Sequence, residues 1–151
     1  MATDQNQYLG NPLLKKANVP VEFTKEQIQE YQKCMDDPVY FIQEYMRIVS
    51  LDEGLVPFKM YDFQKTMVNT FHDNRFTICK LPRQSGKSTT IIAYLLHFVL
   101  FNPNVNVAIL ANKSSTARDI LGRLQLGYEH LPKWLQQGVI SWNKGSLDLE
   151  N

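Results

Sequence analysis

The feature that most constrains this chain is the turn Leu81-Pro82-Arg83-Gln84-Ser85-Gly86-Lys87-Ser88-Thr89, set between two apolar runs. Residues 76–81 ahead of it are short, apolar and partly β-branched, which predicts a buried strand. Residues 86–101 behind it read as an apolar helix that Asn102 and Pro103 stop. Strand, loop, lysine, hydroxyl and helix in that order suit a polyphosphate, which needs clustered backbone N–H groups, a positive helix end and a mobile cation. Gly86 lets the backbone come close, Lys87 offers its charge to the β- and γ-phosphates, and Ser88 offers a hydroxyl to Mg²⁺. Gln84, Ser85 and Thr89 complete the candidate nucleotide-binding set. The pattern G-x-x-x-x-G-K-[ST] would place glycine where Leu81 stands. A solvated basic turn is the competing reading of the same residues.

Arg83 and Gln84 are unusual in such a loop, where small residues are the rule. An arginine three residues before the glycine can reach a γ-phosphate and stabilise its charge in cis, which makes Arg83 the candidate catalytic residue. Its alternative is a surface arginine paired to a nearby acid. Upstream lies Tyr61-Asp62-Phe63-Gln64. A glutamine amide matches both the donor and the acceptor edge of adenine, and an aromatic ring packs on the base. Gln64 could equally be an exposed helix residue.

The rest of the chain divides into three expected segments. Residues 1–23 carry Gly10, Pro12 and Pro20 without periodicity and read as an arm, ordered only if something holds it down. Residues 24–74 read as a helical preface. Thr24 and Gln27 form a capping box for a helix over 24–33, and Asp37-Pro38 is an N-cap and first-turn pair for the next. That second helix places Phe41, Ile42, Tyr45, Met46 and Val49 on one face, residues 50–57 form a loop, and a third helix gathers Phe63, Met67, Val68 and Phe71. Residues 75–151 read as a partial ATPase core. After the loop and its helix come a strand over 105–111, a helix from about residue 115, a turn of helix from Pro132 to Gly138, and two strands around Asn143-Lys144-Gly145. The fold class is therefore α/β: a P-loop NTPase with a partial parallel sheet and flanking helices, preceded by a small helical segment.

Composition narrows the function classes. Sixteen basic and fifteen acidic residues give a net charge of +1, which argues for no large nucleic-acid face and excludes no local one. Cys34 and Cys79 lie far apart and read as reduced thiols. The N-terminus has no basic, apolar leader pattern, and the longest apolar stretch, residues 91–101, is too short to cross a bilayer. A soluble, intracellular protein without a membrane partner is expected.

Beyond the loop, the strings D-F-Q, T-I-C-K-L-P-R-Q-S-G-K-S-T and V-A-I-L-A-N-K resemble the large terminase subunit of T4-like tailed bacteriophages. So do residues 131–146, the stretch Asn11-Pro12-Leu13 and the stretch Asp37-Pro38-Val39-Tyr40-Phe41. That family carries R-Q-x-G-K-[ST] without the first glycine, so Leu81 is an expected departure. The resemblance implies that Gln64 is the adenine-binding glutamine and Arg83 the loop arginine that triggers cleavage. It implies that Lys87 and Ser88 hold phosphate and magnesium, with ATP and Mg²⁺ as cofactors. It also implies double-stranded DNA, a portal protein and a small terminase subunit as partners, in the host cytoplasm at the procapsid portal.

In that family a Walker B strand ending in Asp-Glu follows the hairpin, and no such string occurs here. Leu147-Asp148-Leu149-Glu150 alternates instead. The chain thus reads as truncated before Walker B, whether as a designed fragment, a split or interrupted gene, or a part-read frame. Among other readings, a GTPase fails because Asn112-Lys113-Ser114-Ser115 lacks the aspartate and lies too near the loop. A helicase-type ATPase fragment and a non-catalytic nucleotide-binding or interaction module stay open.

Overall fold

The computed structural model describes residues 6–50 and 52–151. Its helices begin where local chemistry says they should. α1 (Lys25–Asp36) opens on Thr24, whose hydroxyl accepts from the Gln27 N–H at 3.2 Å while Gln27 Oε1 accepts from the Thr24 N–H at 3.0 Å. α2 (Pro38–Tyr45) opens on Asp37, which accepts from the Tyr40 N–H at 2.9 Å, with proline at a position that needs no donor. α3 (Asp62–Asp73), α4 (Lys87–Phe101) and α5 (Ser114–Glu129) follow.

α4 is apolar on most sides because it is packed on most sides: α2, α3 and α5 all lie against it. Ile92, Ala93, Leu96 and Leu100 are fully buried along it, and each large aliphatic there contributes about 1.5–3 kcal/mol of burial. α5 comes close at Gly127, where an added Cβ would lie 2.6 Å from Met46 Cε and 3.2 Å from Leu96 Cδ2. α1 is tied to α2 through Glu30, which accepts from the hydroxyls of Tyr40 (2.6 Å) and Tyr45 (2.9 Å). The Tyr40 bond holds the Glu30 carboxyl below its ordinary pKa. Burial pushes the Cys34 thiol up to about 12, and Cys34 and Cys79 are both free, as the spacing implied.

The arm is held down. β1 (Gln7–Tyr8) and β2 (Asn11–Lys15) form an antiparallel hairpin, and the far end of the chain fastens it. Gln136 accepts from the Lys15 N–H and donates to Leu13 O, both at 3.0 Å. Glu150 accepts from Lys15 Nζ at 3.2 Å and from the Asn18 and Gly138 N–H groups at 2.6 and 2.7 Å. Residues 1–5, the start of the expected arm, lie outside the described residues.

Four expectations need correction. The parallel sheet is not formed. Residues 76–81 and 105–111 run without a strand partner among the described residues, leaving Phe76 (83 %), Ile78 (98 %) and Leu110 (88 %) exposed. An apolar β-branched run favours extended backbone, but a strand also needs a hydrogen-bonded neighbour, and neither segment has one. The described fold is mixed α/β, with five helices and three two-stranded antiparallel pairs; its one parallel contact is the isolated Lys16–Val139 bridge. Second, residues 50–57 are not a plain loop: β3 (Arg47–Ser50) and β4 (Gly54–Pro57) pair in antiparallel register. Third, Val49 therefore leaves the α2 face and stands opposite Leu55, because Met46 is already extended at φ −76°, ψ 132°. Fourth, Pro132 begins a turn rather than a helix, closed by the Leu135 N–H on Pro132 O at 2.9 Å. The final hairpin forms as expected from β5 (Val139–Trp142) and β6 (Leu147–Leu149), with Asn143 Oδ1 accepting from the Gly145 and Ser146 N–H groups.

The unpaired apolar segments have a measurable consequence. The chain is expected to self-associate at micromolar concentration through residues 76–81 and 105–111. Ile78→Lys, at a site with no packing to lose, should return it toward the monomer in sedimentation velocity. A monomeric parent that unfolds in one cooperative transition would overturn this.

Candidate functional site

The loop over residues 81–89 takes its shape from two residues with positive φ. Gly86, the N-cap of α4, lies at φ 74°, ψ 10°, and Gln84 lies at φ 61°. Together they bracket Ser85 and curl the backbone into the kind of turn that gathers N–H groups on an anion. A side chain at such a φ costs about 1–3 kcal/mol, strain that functional loops often hold. The first rung of the α4 ladder runs from the Thr90 N–H to Gly86 O at 3.0 Å. The amides of Lys87, Ser88 and Thr89 precede it, at the positive end of a 15-residue helix. Thr90, fully buried, adds its hydroxyl to the same Gly86 carbonyl at 3.0 Å.

Around that turn the candidate side chains are poised differently. Lys87 Nζ folds back to Pro82 O at 3.2 Å, a neutral partner for a mobile charge. Ser85 Oγ is buried with no hydrogen-bond partner, an arrangement that costs about 1–3 kcal/mol while it lasts. Arg83 and Ser88 are exposed. Among the described residues the ion pairs are Lys15–Glu150 and Lys65–Asp62, so no carboxylate holds Arg83.

Gln64 is 2 % exposed in the first turn of α3. Its Oε1 accepts from the Tyr61 N–H at 2.9 Å, while the Gln64 N–H bonds Tyr61 O at 3.0 Å. On the other side of the amide, a Cβ built on Gly86 would lie 2.6 Å from Gln64 Nε2. The Tyr61 and Phe63 rings stack beside it, centroids 5.9 Å apart and 9° from parallel.

These parts share one cleft of about 530 Å³. Gln84, Ser85, Gly86 and Thr89 line one side with Leu81 and Pro82; Gln64, Tyr61 and Phe63 line another. Arg83, Lys87 and Ser88 belong to the same turn but do not line the cleft, and none of the lining residues is acidic. The structure thus brings the upstream glutamine to the 81–89 loop. Sequence reasoning missed Ile48, Phe58 and Lys59, which line the cleft from the β3–β4 hairpin and the chain just after it. It also missed Thr90, although its position four residues after Gly86 would have served as a signal. No group of three His, Cys, Asp or Glu residues able to hold a metal occurs among the described residues. A Mg²⁺ ion here would take its ligands from phosphate oxygens, water and one hydroxyl, a set that ion accepts. No described helix is long and apolar enough to cross a membrane.

One comparison with known proteins bears on this half of the molecule. A family model described as terminase large subunit, T4likevirus-type, N-terminal, matches residues 78–151. The match takes in the loop, α4, α5 and the final hairpin. Gln64 and the helices before it lie outside the matched residues.

Proposed function

Since the chain belongs, through residues 78–151, to the N-terminal family of T4-like large terminase subunits, we propose that it is the ATP-binding portion of a viral DNA-packaging motor. The observation that carries the reading is the curled loop at the α4 N-terminus, with Lys87 resting on nothing stronger than the Pro82 carbonyl. In this reading the amides of residues 87–89 and the Ser85 hydroxyl receive phosphate oxygens. Lys87 exchanges a carbonyl for the β- and γ-phosphates, and Ser88 supplies its hydroxyl to Mg²⁺. Arg83, free of any acid, reaches the γ-phosphate, and the base packs against the Tyr61–Phe63 pair. Bound ATP supplies a phosphoryl group whose transfer to water releases the energy for moving double-stranded DNA. A portal protein and a small terminase subunit are the proposed partners, in the host cytoplasm.

A second reading, a module that holds nucleotide without turning it over, is favoured by one observation: no carboxylate lines the cleft. Both readings require the phosphate contacts. Lys87→Ala is expected to weaken binding of ATP and of a fluorescent ADP analogue roughly ten- to a hundredfold, the loss of a charge-assisted contact of about 1.5–3 kcal/mol. Arg83→Ala should leave ADP affinity nearly unchanged, because its contact is to the γ-phosphate. Equal binding by parent and Lys87→Ala would reduce the loop to a basic turn.

A further inference from the structure

The N-terminal hairpin leans on the helical core without being woven into it. Among its described residues Leu14 is the one fully buried side chain, while Leu9 stands 89 % exposed at the tip. Its backbone meets the far end of the chain at Val139, where Lys16 forms the parallel bridge and the Ala17 N–H donates to Val139 O at 3.2 Å. Behind it Asn18 turns the chain at φ 60°, and residues 19–24 run without regular structure until α1 begins. A segment attached in this way can open while the core beneath it stays folded.

Two side chains from the far end grip the hairpin, and they differ in kind. Gln136 is neutral and belongs to the core: its amide also donates to Tyr128 O and Leu131 O, both at 3.1 Å, so it keeps partners when the arm leaves. Glu150 sits where the arm crosses the turn into β5. Its carboxylate accepts from Lys15 Nζ, the Asn18 N–H and the Gly138 N–H, so two of its three donors come from the arm. Its own N–H donates to Gly138 O at 2.9 Å, which fixes the carboxylate beside that turn. Hydrogen bonds to an ionised acceptor are the strong kind, and here one charge spans the joint. The approach is close at the backbone itself. A Cβ built on Gly138 would lie 2.5 Å from Ala17 Cα and 2.5 Å from Glu150 Cδ, so a larger residue there would push the arm away.

We infer that residues 6–18 are a strap that opens and closes as a unit over the turn before β5, with the Glu150 carboxylate as its latch. Closed, the strap seats Leu14 in the core and lies along the edge of β5 that β6 does not cover. Open, it leaves that edge unpaired and the five helices in place.

Hydrogen–deuterium exchange of the full chain at neutral pH tests this, by comparing peptides over residues 13–18 with peptides from α4. In the parent the arm amides should exchange together, and faster than the α4 amides by about tenfold or more. Glu150→Gln keeps the length of the side chain and removes its charge. It should speed the arm about tenfold further and leave α4 at the parent rate. Gly138→Ala should also release the arm, by crowding Ala17 while the carboxylate stays charged. Arm and α4 amides that exchange at one rate in the parent would make the arm part of a single cooperative unit, and that comparison needs no variant to fold. Unchanged arm exchange in Glu150→Gln would overturn the latch. So would α4 exchange that rises as much as the arm's, since the carboxylate would then hold the whole fold.

Discussion

Acidification from pH 6.5 toward pH 4 is expected to remove roughly 3 kcal/mol of folding stability through His97 alone. His97 is 2 % exposed on α4, ringed by Phe41, His72, Tyr94 and Phe101 with centroids 4.8–6.4 Å apart across the cluster. Its Nε2 lies 2.9 Å from Cys34 O, so that nitrogen carries the proton and donates. Nδ1 is then a bare lone pair, buried without a partner. Protonation would place a charge inside this buried ring of aromatic side chains. Burial accordingly lowers the pKa from 6.5 to about 4; the Cys34 and Met35 backbone and Asp37 pull the other way, and His72 adds to the fall.

The sign follows from that depression. Above the unfolded value of 6.5 both states are neutral and stability is at its full level. As pH falls toward 4 the unfolded chain takes up a proton that the folded chain refuses, and stability drains until both are protonated. Urea unfolding at pH 7.5 and pH 4.5 measures it, and His97→Leu, which removes the titrating group, should flatten the difference. Unchanged pH dependence in that variant would assign the loss to the surface carboxylates instead. An effect of roughly 3 kcal/mol would be a large part of a marginal domain's stability, and it would act on the same helix that the 81–89 loop leads into.

Local chemistry was the legible part of this fold. Thr24 with Gln27, Asp37 with Pro38, and Gly86 before Lys87 each mark a helix start within one or two residues, because a cap is satisfied by neighbours in sequence. Asn143 and Gly145 likewise mark the last turn, since its bonds close within three residues. Pairing was not legible. Residues 76–81 and 105–111 have the composition of strands, and nothing in a single stretch of sequence says whether a neighbour stands beside them. The β3–β4 hairpin stayed hidden for a related reason: Val49 falls in phase with the α2 face, so helical periodicity absorbs it. Gln136, which joins the arm at Leu13 and Lys15 to Tyr128 and Leu131, is the extreme case. Its partners at the arm lie more than a hundred residues away.

The site divides along the same line. The turn into α4 at Gly86 could be read from residue order alone. The resemblance pointed to Gln64, and the fold brings it to the loop, yet its burial and its contact with Gly86 depend on how α3 packs over α4, which no local pattern records. Arg83, by contrast, makes no ion pair among the described residues, where the ion pairs join Lys15 to Glu150 and Lys65 to Asp62.

Steady-state ATP turnover by this 151-residue chain is expected to be indistinguishable from that of its Lys87→Ala variant. Hydrolysis needs a base within hydrogen-bond reach of the attacking water, and a positioned base is typically worth about 10²–10⁴-fold in rate. No residue lining the cleft is acidic. Asp62, the acid nearest Gln64 in sequence, points its carboxylate at Lys65 in full solvent. Glu150 is spent on Lys15, Asn18 and Gly138. Asp148 lines a different hollow, between α5 and the final hairpin. Arg83, proposed to meet the γ-phosphate, is a permanent cation and cannot take a proton from water. Binding and turnover should therefore separate: the parent should hold nucleotide that Lys87→Ala loses, and neither should release phosphate above the buffer rate. Phosphate release measured at saturating ATP decides it. A Lys87-dependent turnover of about one per second or faster, within the ordinary range for enzymes, would show that a base reaches the cleft from a residue the fold has not placed there, and the non-catalytic reading would fall with it.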